Sequence, residues 1–88
     1  MTDVSAGQTW VLRLLGEVGV QLGVPGATGS WPSADKGFTG GRFHLTITLG
    51  TRWRRVDFRE GELEDVLKTP RIQGAIRYRL GGALQAIR

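Results

Sequence analysis

The chain has 88 residues and a mass of 9.6 kDa, which suits one small domain and leaves no room for two. It contains no cysteine, which excludes disulfides, thiol catalysis, iron–sulfur clusters and zinc sites built from cysteine. The formal net charge is +4, and ten of the twelve basic side chains are arginines, which suit bidentate contacts with phosphate or carboxylate groups.

The N-terminal segment is apolar at the spacing of a helix. The residues that share one helical face are Val11, Leu14, Leu15, Val18 and Leu22. We favour a helix over residues 6–15 that extends to residue 22. Gly16 and Gly19 each weaken a helix by roughly 1 kcal/mol, and residues 18–22 also alternate as a strand does. The alternative is therefore a helix that ends at Gly16, followed by a short third strand from residues 17–22.

Residues 23–41 are rich in glycine and are predicted to form a loop. Loops longer than about 12–15 residues are uncommon in compact domains and tend to be functional or disordered. Trp31 and Phe38 lie within this segment. We expect both rings to fix the loop onto the core. The alternative is that one ring contacts a partner.

Residues 42–58 have the pattern of an antiparallel hairpin. Apolar and polar residues alternate along the first strand, whose apolar members are Phe43, Leu45, Ile47 and Leu49. Gly50 and Thr51 fit the two central positions of a type II′ turn, which takes glycine first. That turn fixes the register and places Phe43 opposite Phe58 on the buried face, with His44 opposite Asp57 on the other face.

The C-terminal third is predicted to be helical. Residues 62–68 favour a short helix, with acidic side chains near its N-terminus. Pro70 excludes Thr69 from helical geometry, so Thr69 can cap a second helix over residues 70–87 with Pro70 at its first position. The predicted fold is a single α+β domain, residues 1–88, in which the hairpin packs on the N-terminal helix and on this C-terminal helical segment.

The hairpin also carries the basic residues that suggest a function. The candidate binding residues are Arg42, Arg52, Trp53, Arg54, Arg55 and Arg59. Arginines interleaved with tryptophan can contact phosphates and stack on bases, and a two-stranded ribbon can enter a major groove. By register, Arg52 and Arg54 fall on the apolar face, so we expect them to extend past the core or to be redirected by a bulge. The alternative is a solvated basic face with Trp53 in the core.

Enzymatic chemistry is not predicted. The chain has one histidine and neither of the glycine-rich nucleotide-binding motifs, so we expect no metal and no cofactor. His44 with Asp57 is the one constellation of catalytic character, and it lacks a nucleophile with a positioned base. We interpret it as a structural cross-strand pair.

The residues favour a non-catalytic binding module for nucleic acid or a nucleoprotein complex. The alternative is a protein-interaction module that binds an acidic protein surface: an adaptor, a subunit, or a small phage- or host-encoded inhibitor of a larger machine. An open hairpin edge or the C-terminal helix could also support a homodimer. No apolar run approaches the roughly 18 residues of a membrane span, and the N-terminus lacks a basic signal-peptide region, so we expect a cytoplasmic protein with no membrane partner. The absence of Asn and the abundance of Gly, Ala and Arg are typical of a GC-rich bacterial or phage genome, and this codon bias is the alternative to functional selection as the reason for the many arginines.

Overall fold

Helices cover one face of an antiparallel sheet. The computed structural model of the protein describes residues 4–31, 38–39 and 42–88. In chain order its elements are α1 (Val4–Gln21), β1 (Thr28–Ser30), β2 (Phe38–Thr39), β3 (Arg42–Leu49), β4 (Arg52–Arg59), α2 (Glu60–Asp65) and α3 (Pro70–Ile87). The predicted α+β class and small single domain are confirmed.

Helix α1 runs without interruption past Gly16, so the favoured helix is confirmed, and the alternative of a third strand from residues 17–22 is wrong. The helix ends at Gln21, and Gly23, two residues further on, has a φ of +77°. The amide of Gly23 donates to the carbonyl of Val20, and the amide of Val24 donates to that of Gly19. This pair of bonds is a Schellman motif, a common helix end with glycine in the left-handed conformation. The apolar stripe continues past Gly16 and buries Val18, which outweighs the weak helix propensity of glycine.

The hairpin has the predicted register along its whole length, from Leu49 opposite Arg52 to Phe43 opposite Phe58. At the turn, Gly50 has a φ of +64°, and no non-glycine residue of the described chain has a positive φ. That is the φ pattern of a type II′ turn.

The glycine-rich segment differs from the prediction of a continuous loop, because it contributes two short strands. Residues of β1 pair with Thr46, Ile47 and Thr48 of β3, and residues of β2 pair with Arg42 and Phe43. Since β4 occupies the whole of one side of β3, β1 and β2 lie one after the other along its second side. Gly29 of β1 allows close packing: a Cβ there would lie 2.7 Å from Leu15.

The core lies between the sheet and the two long helices. The sheet contributes the inward-facing side chains of Leu45, Ile47, Val56 and Phe58, all of them buried. The buried residues of α1 and α3 recur at helical spacing, and they include Val11, Leu15, Ile76, Leu80 and Leu84. The helix layer therefore leaves the opposite face of the sheet without a helix among the described elements.

The C-terminal third matches the prediction in its second helix and departs from it in the first. Helix α3 begins at Pro70, with Thr69 at the cap position but without a side-chain hydrogen bond from it. The short helix α2 spans Glu60–Asp65 rather than 62–68. It starts earlier because the Glu62 carboxylate accepts the amide hydrogen of Arg59, and it ends in a tight turn in which the Lys68 amide donates to the Asp65 carbonyl.

Candidate functional site

We call the sheet face that points away from the helices the outer face. By pairing, it carries Thr28, Ser30, Arg42, His44, Thr46, Thr48, Trp53, Arg55, Asp57 and Arg59. These residues form cross-strand rows, since Thr28, Thr48 and Trp53 are neighbours, as are Ser30, Thr46 and Arg55. Adjacent rows are separated by two residues along a strand, which is about 6.6–6.8 Å. The outer face is thus an array of hydroxyls, arginines, one indole and the His44–Asp57 pair.

Trp53 is 66% exposed, which rules out the alternative that it belongs to the core. Its ring stands in the row nearest the turn, beside Thr48. Arg42, Arg55 and Arg59 share this face and are all exposed. Four of the six predicted binding residues therefore lie on one surface, as the hairpin register requires.

Arg52 and Arg54 lie on the other side of the sheet, opposite Leu49 and Ile47. The pairing has no bulge, so both side chains extend past the edge of the core and are exposed. Arg52 Nη1 donates to the carbonyl of Arg88 at 3.1 Å, just beyond the end of α3. These two arginines form a separate basic end of the molecule rather than part of the outer face.

Asp57 is the one carboxylate on the outer face among the described residues, and it is paired. Its Oδ1 lies 2.6 Å from His44 Nδ1 and 3.4 Å from Arg55 Nε. The His44 side chain is only 14% exposed, so imidazole and carboxylate hold each other in a fixed geometry.

Arg79 and Glu62 join α3, α2 and β4 at the end of the hairpin far from the turn. Arg79 donates to both carboxylate oxygens of Glu62, at 3.3 and 2.8 Å, and to the backbone carbonyl of Asp57 at 3.0 Å. Its guanidinium lies 5.1 Å from the centre of the Phe58 ring. Arg42 and Arg59 line a cavity of about 190 Å³ next to this group.

The pKa of Glu62 reflects this arrangement. Burial is the largest single influence and raises it. The hydrogen bond from Arg79, the amide of Arg59 and the charges of both arginines together outweigh burial, so the pKa is lowered below its ordinary value. The carboxylate therefore stays ionised at neutral pH and keeps its bidentate pair with Arg79.

Trp31 fixes the segment after β1 onto the core, as expected from the sequence. Its Nε1–H donates to the carbonyl of Gln8 in α1 at 3.2 Å, and its ring lies 5.5 Å from that of Phe58. Trp31 is half-buried and is not an isolated contact residue. The side chain of Phe38, the second predicted loop contact, lies outside the described residues.

Sequence reasoning missed two groups. Thr28 and Ser30 extend the outer face by a third strand, and the alternation of Thr28, Gly29 and Ser30 was the available signal, too short to stand out in a glycine-rich segment. The contacts of Arg79 with Glu62 and Asp57 join residues 17 and 22 positions apart, and no local pattern indicates them.

No family model, curated protein or solved structure matches this chain. None of the described helices has the length and hydropathy needed to cross a membrane. Within the described ranges, no three His, Asp or Glu side chains cluster so as to hold a metal ion. A functional interpretation therefore depends on the chemistry of the chain's own surfaces.

Proposed function

We propose that the protein is a small, cytoplasmic, non-catalytic module that binds nucleic acid, alone or within a nucleoprotein complex, through the outer face of its sheet. The observation that carries the proposal is the exposed indole of Trp53 among Arg42, Arg55 and Arg59 on a face that no described helix covers. The core gains nothing from a tryptophan in that position. A nucleic acid offers both a base for the ring and phosphates for the guanidiniums.

The charge of the outer face supports the same proposal. Its three arginines face one described carboxylate, Asp57, which His44 and Arg55 already pair. A phosphate approaching this surface meets little repulsion. The hydroxyls of Thr46 and Thr48 can donate to phosphate or sugar oxygens, which is a frequent contact in protein–nucleic acid interfaces.

The test is the salt dependence of binding to mixed-sequence DNA and RNA, measured by fluorescence anisotropy between about 50 and 200 mM salt. We compare Arg42→Gln/Arg55→Gln, on the outer face, with Arg13→Gln/Arg71→Gln, exposed on the helices. Both double variants change the net charge from +4 to +2. If both outer-face arginines contact phosphates, only the first variant loses affinity, and its log–log salt slope falls by about 1.5. Equal losses in the two variants would mean that net charge alone drives binding and would contradict the proposal.

A second candidate function is a protein-interaction module, and exposed apolar residues on the helical side favour it. Val20 is 66% exposed, Leu67 50% and Tyr78 85%, and Tyr78 stands beside a shallow depression lined by Gly81 and Gly82. A stoichiometric protein partner that Tyr78→Ser loses and Trp53→Ala retains would favour this function. A sedimentation mass that stays near 9.6 kDa at high concentration would reject a homodimer.

A further inference from the structure

We infer that the nucleic acid bound is a single strand laid across the outer face with one base stacked on Trp53, and not a duplex entered by the hairpin. This inference rests on the proposed function and adds the form of the ligand. Two structural observations carry it, the width of the sheet beside the turn and the helix layer behind it.

The sheet is three strands wide where a groove-binding ribbon would have to enter. β1 pairs with Thr46, Ile47 and Thr48, in the half of β3 that leads to the turn, and β4 covers the other side. Strands lie about 4.8 Å apart, so three of them occupy about 14 Å and two about 10 Å. The major groove of B-DNA is about 12 Å wide, which matches a two-stranded ribbon better than a three-stranded sheet.

The helix layer also prevents the hairpin from acting as a free arm. Leu49, the last residue of β3, is half-buried against the core, and Arg52 at the start of β4 is tied to the carbonyl of Arg88. The helix layer, about 10 Å thick, thus backs β3 as far as Leu49, while Arg52 and Arg54 extend past its edge. On the outer face, the stacked bases of a duplex are out of reach of the Trp53 indole.

A single strand makes both kinds of contact at once. Trp53 and Arg55 lie two residues apart on the same face, so their Cα atoms are about 6.6–6.8 Å apart along the strand. A base of a single strand can stack on the ring while its phosphate reaches Arg55 and its sugar reaches the hydroxyl of Thr46 or Thr48. Every base has a π-face, so we expect little sequence preference.

The experiment compares one mixed-sequence 20-mer as single-stranded DNA, as single-stranded RNA and as blunt duplex DNA, by anisotropy at about 50 mM salt. We expect a single strand to bind at least about tenfold more tightly than the duplex. Trp53→Ala should weaken single-strand binding by about 5- to 150-fold, the range measured when a stacking aromatic is removed. Trp53→Phe should retain most of the affinity, and Tyr78→Ala, which removes an exposed ring on the helical side, should bind as the wild type does.

The outcomes separate the two proposals. Duplex binding as tight as single-strand binding, or an unchanged affinity in Trp53→Ala, would overturn the single-strand inference and leave the nucleic-acid function standing. Absence of binding to all three ligands at low salt would overturn the function and the inference with it. Because Trp53 is exposed, its variants should keep the wild-type melting temperature, which a thermal scan checks on the same samples.

Discussion

Two glycines of helix α1 should respond in opposite directions to the same substitution. A Cβ on Gly7 would lie 2.0 Å from the carbonyl oxygen of Leu63 and 2.7 Å from its carbonyl carbon. In real proteins a Cβ atom essentially never lies closer than 3.0 Å to another heavy atom, so α1 and α2 would have to separate by about 1 Å to accept a Cβ at Gly7. A Cβ on Gly16 would meet nothing within 4 Å.

The magnitudes follow from the two environments. Alanine gains about 1 kcal/mol over glycine inside a helix, and overpacking a tight contact costs about 1–3 kcal/mol. The obstacle to Gly7→Ala is backbone, which yields less than a side chain, so we expect a net loss of about 2 kcal/mol. Gly16→Ala should gain about 1 kcal/mol. In a domain of this size these changes lower Tm by about 8–16 °C and raise it by about 4–8 °C.

The assay is thermal and urea unfolding of both variants and the wild type, monitored by far-ultraviolet circular dichroism. Gly16→Ala is the matched control, since it makes the same chemical change in the same helix. If Gly7→Ala proved as stable as Gly16→Ala, the close approach of α1 and α2 would be refuted.

Three further predictions concern the turn, the Glu62 pair and Trp31. Gly50→Ala should lose about 1–2 kcal/mol, because alanine is strained at a φ of +64°, and the loss should appear as a lower urea midpoint with an unchanged slope. Glu62→Gln should be less stable than wild type by about 1 kcal/mol at neutral pH, because it loses the charge-assisted bonds to Arg79. Since the folded-state pKa of Glu62 is lowered, this stabilisation is present above the unfolded pKa and is lost as the pH falls through the folded pKa. The urea unfolding curves of wild type and Glu62→Gln should therefore converge in acid. A difference in midpoint that does not change with pH would contradict the assignment. Trp31→Phe should lose about 1 kcal/mol because it removes the indole N–H that donates to the carbonyl of Gln8, whereas an unchanged midpoint would show that this bond contributes nothing.

The hairpin and the last helix could be predicted from sequence because their signals are local and agree with each other. Alternation over residues 43–49, followed by Gly50, sets both the register and the faces, and the structure has the same pairs. Pro70 and the apolar stripe after it define the start of α3 in the same way. Neither element needs a distant partner to be recognised.

Where two local patterns overlap, the sequence favours one of them without excluding the other. Residues 18–22 fit a strand by alternation and a helix by their continuation of the apolar stripe, and the helix is what forms because it buries Val18 against the core. Strand β1 escaped prediction because its three residues are extended only through their pairing with β3. The register places Trp53 on the polar face, and its exposure follows because the described helices pack on the apolar face.

The contacts of Arg79 and Glu62 also bear on how the protein resists aggregation. Among the described elements, no strand pairs with the edge of β4 that faces away from β3. Residues 49 and 52 are the hydrogen-bonded pair that closes the hairpin, so the backbone N–H and C=O groups of residues 53, 55, 57 and 59 point towards that edge. Arg79 occupies the carbonyl of Asp57, and Glu62 occupies the amide of Arg59. The backbone groups of residues 53 and 55 at this edge lie next to Arg54 and Arg55. The like charges of these arginines disfavour the addition of a second copy there as an antiparallel strand. Protonation of Glu62 weakens its bond to the Arg59 amide, so strand addition between molecules should become easier as the pH falls through the lowered pKa of Glu62.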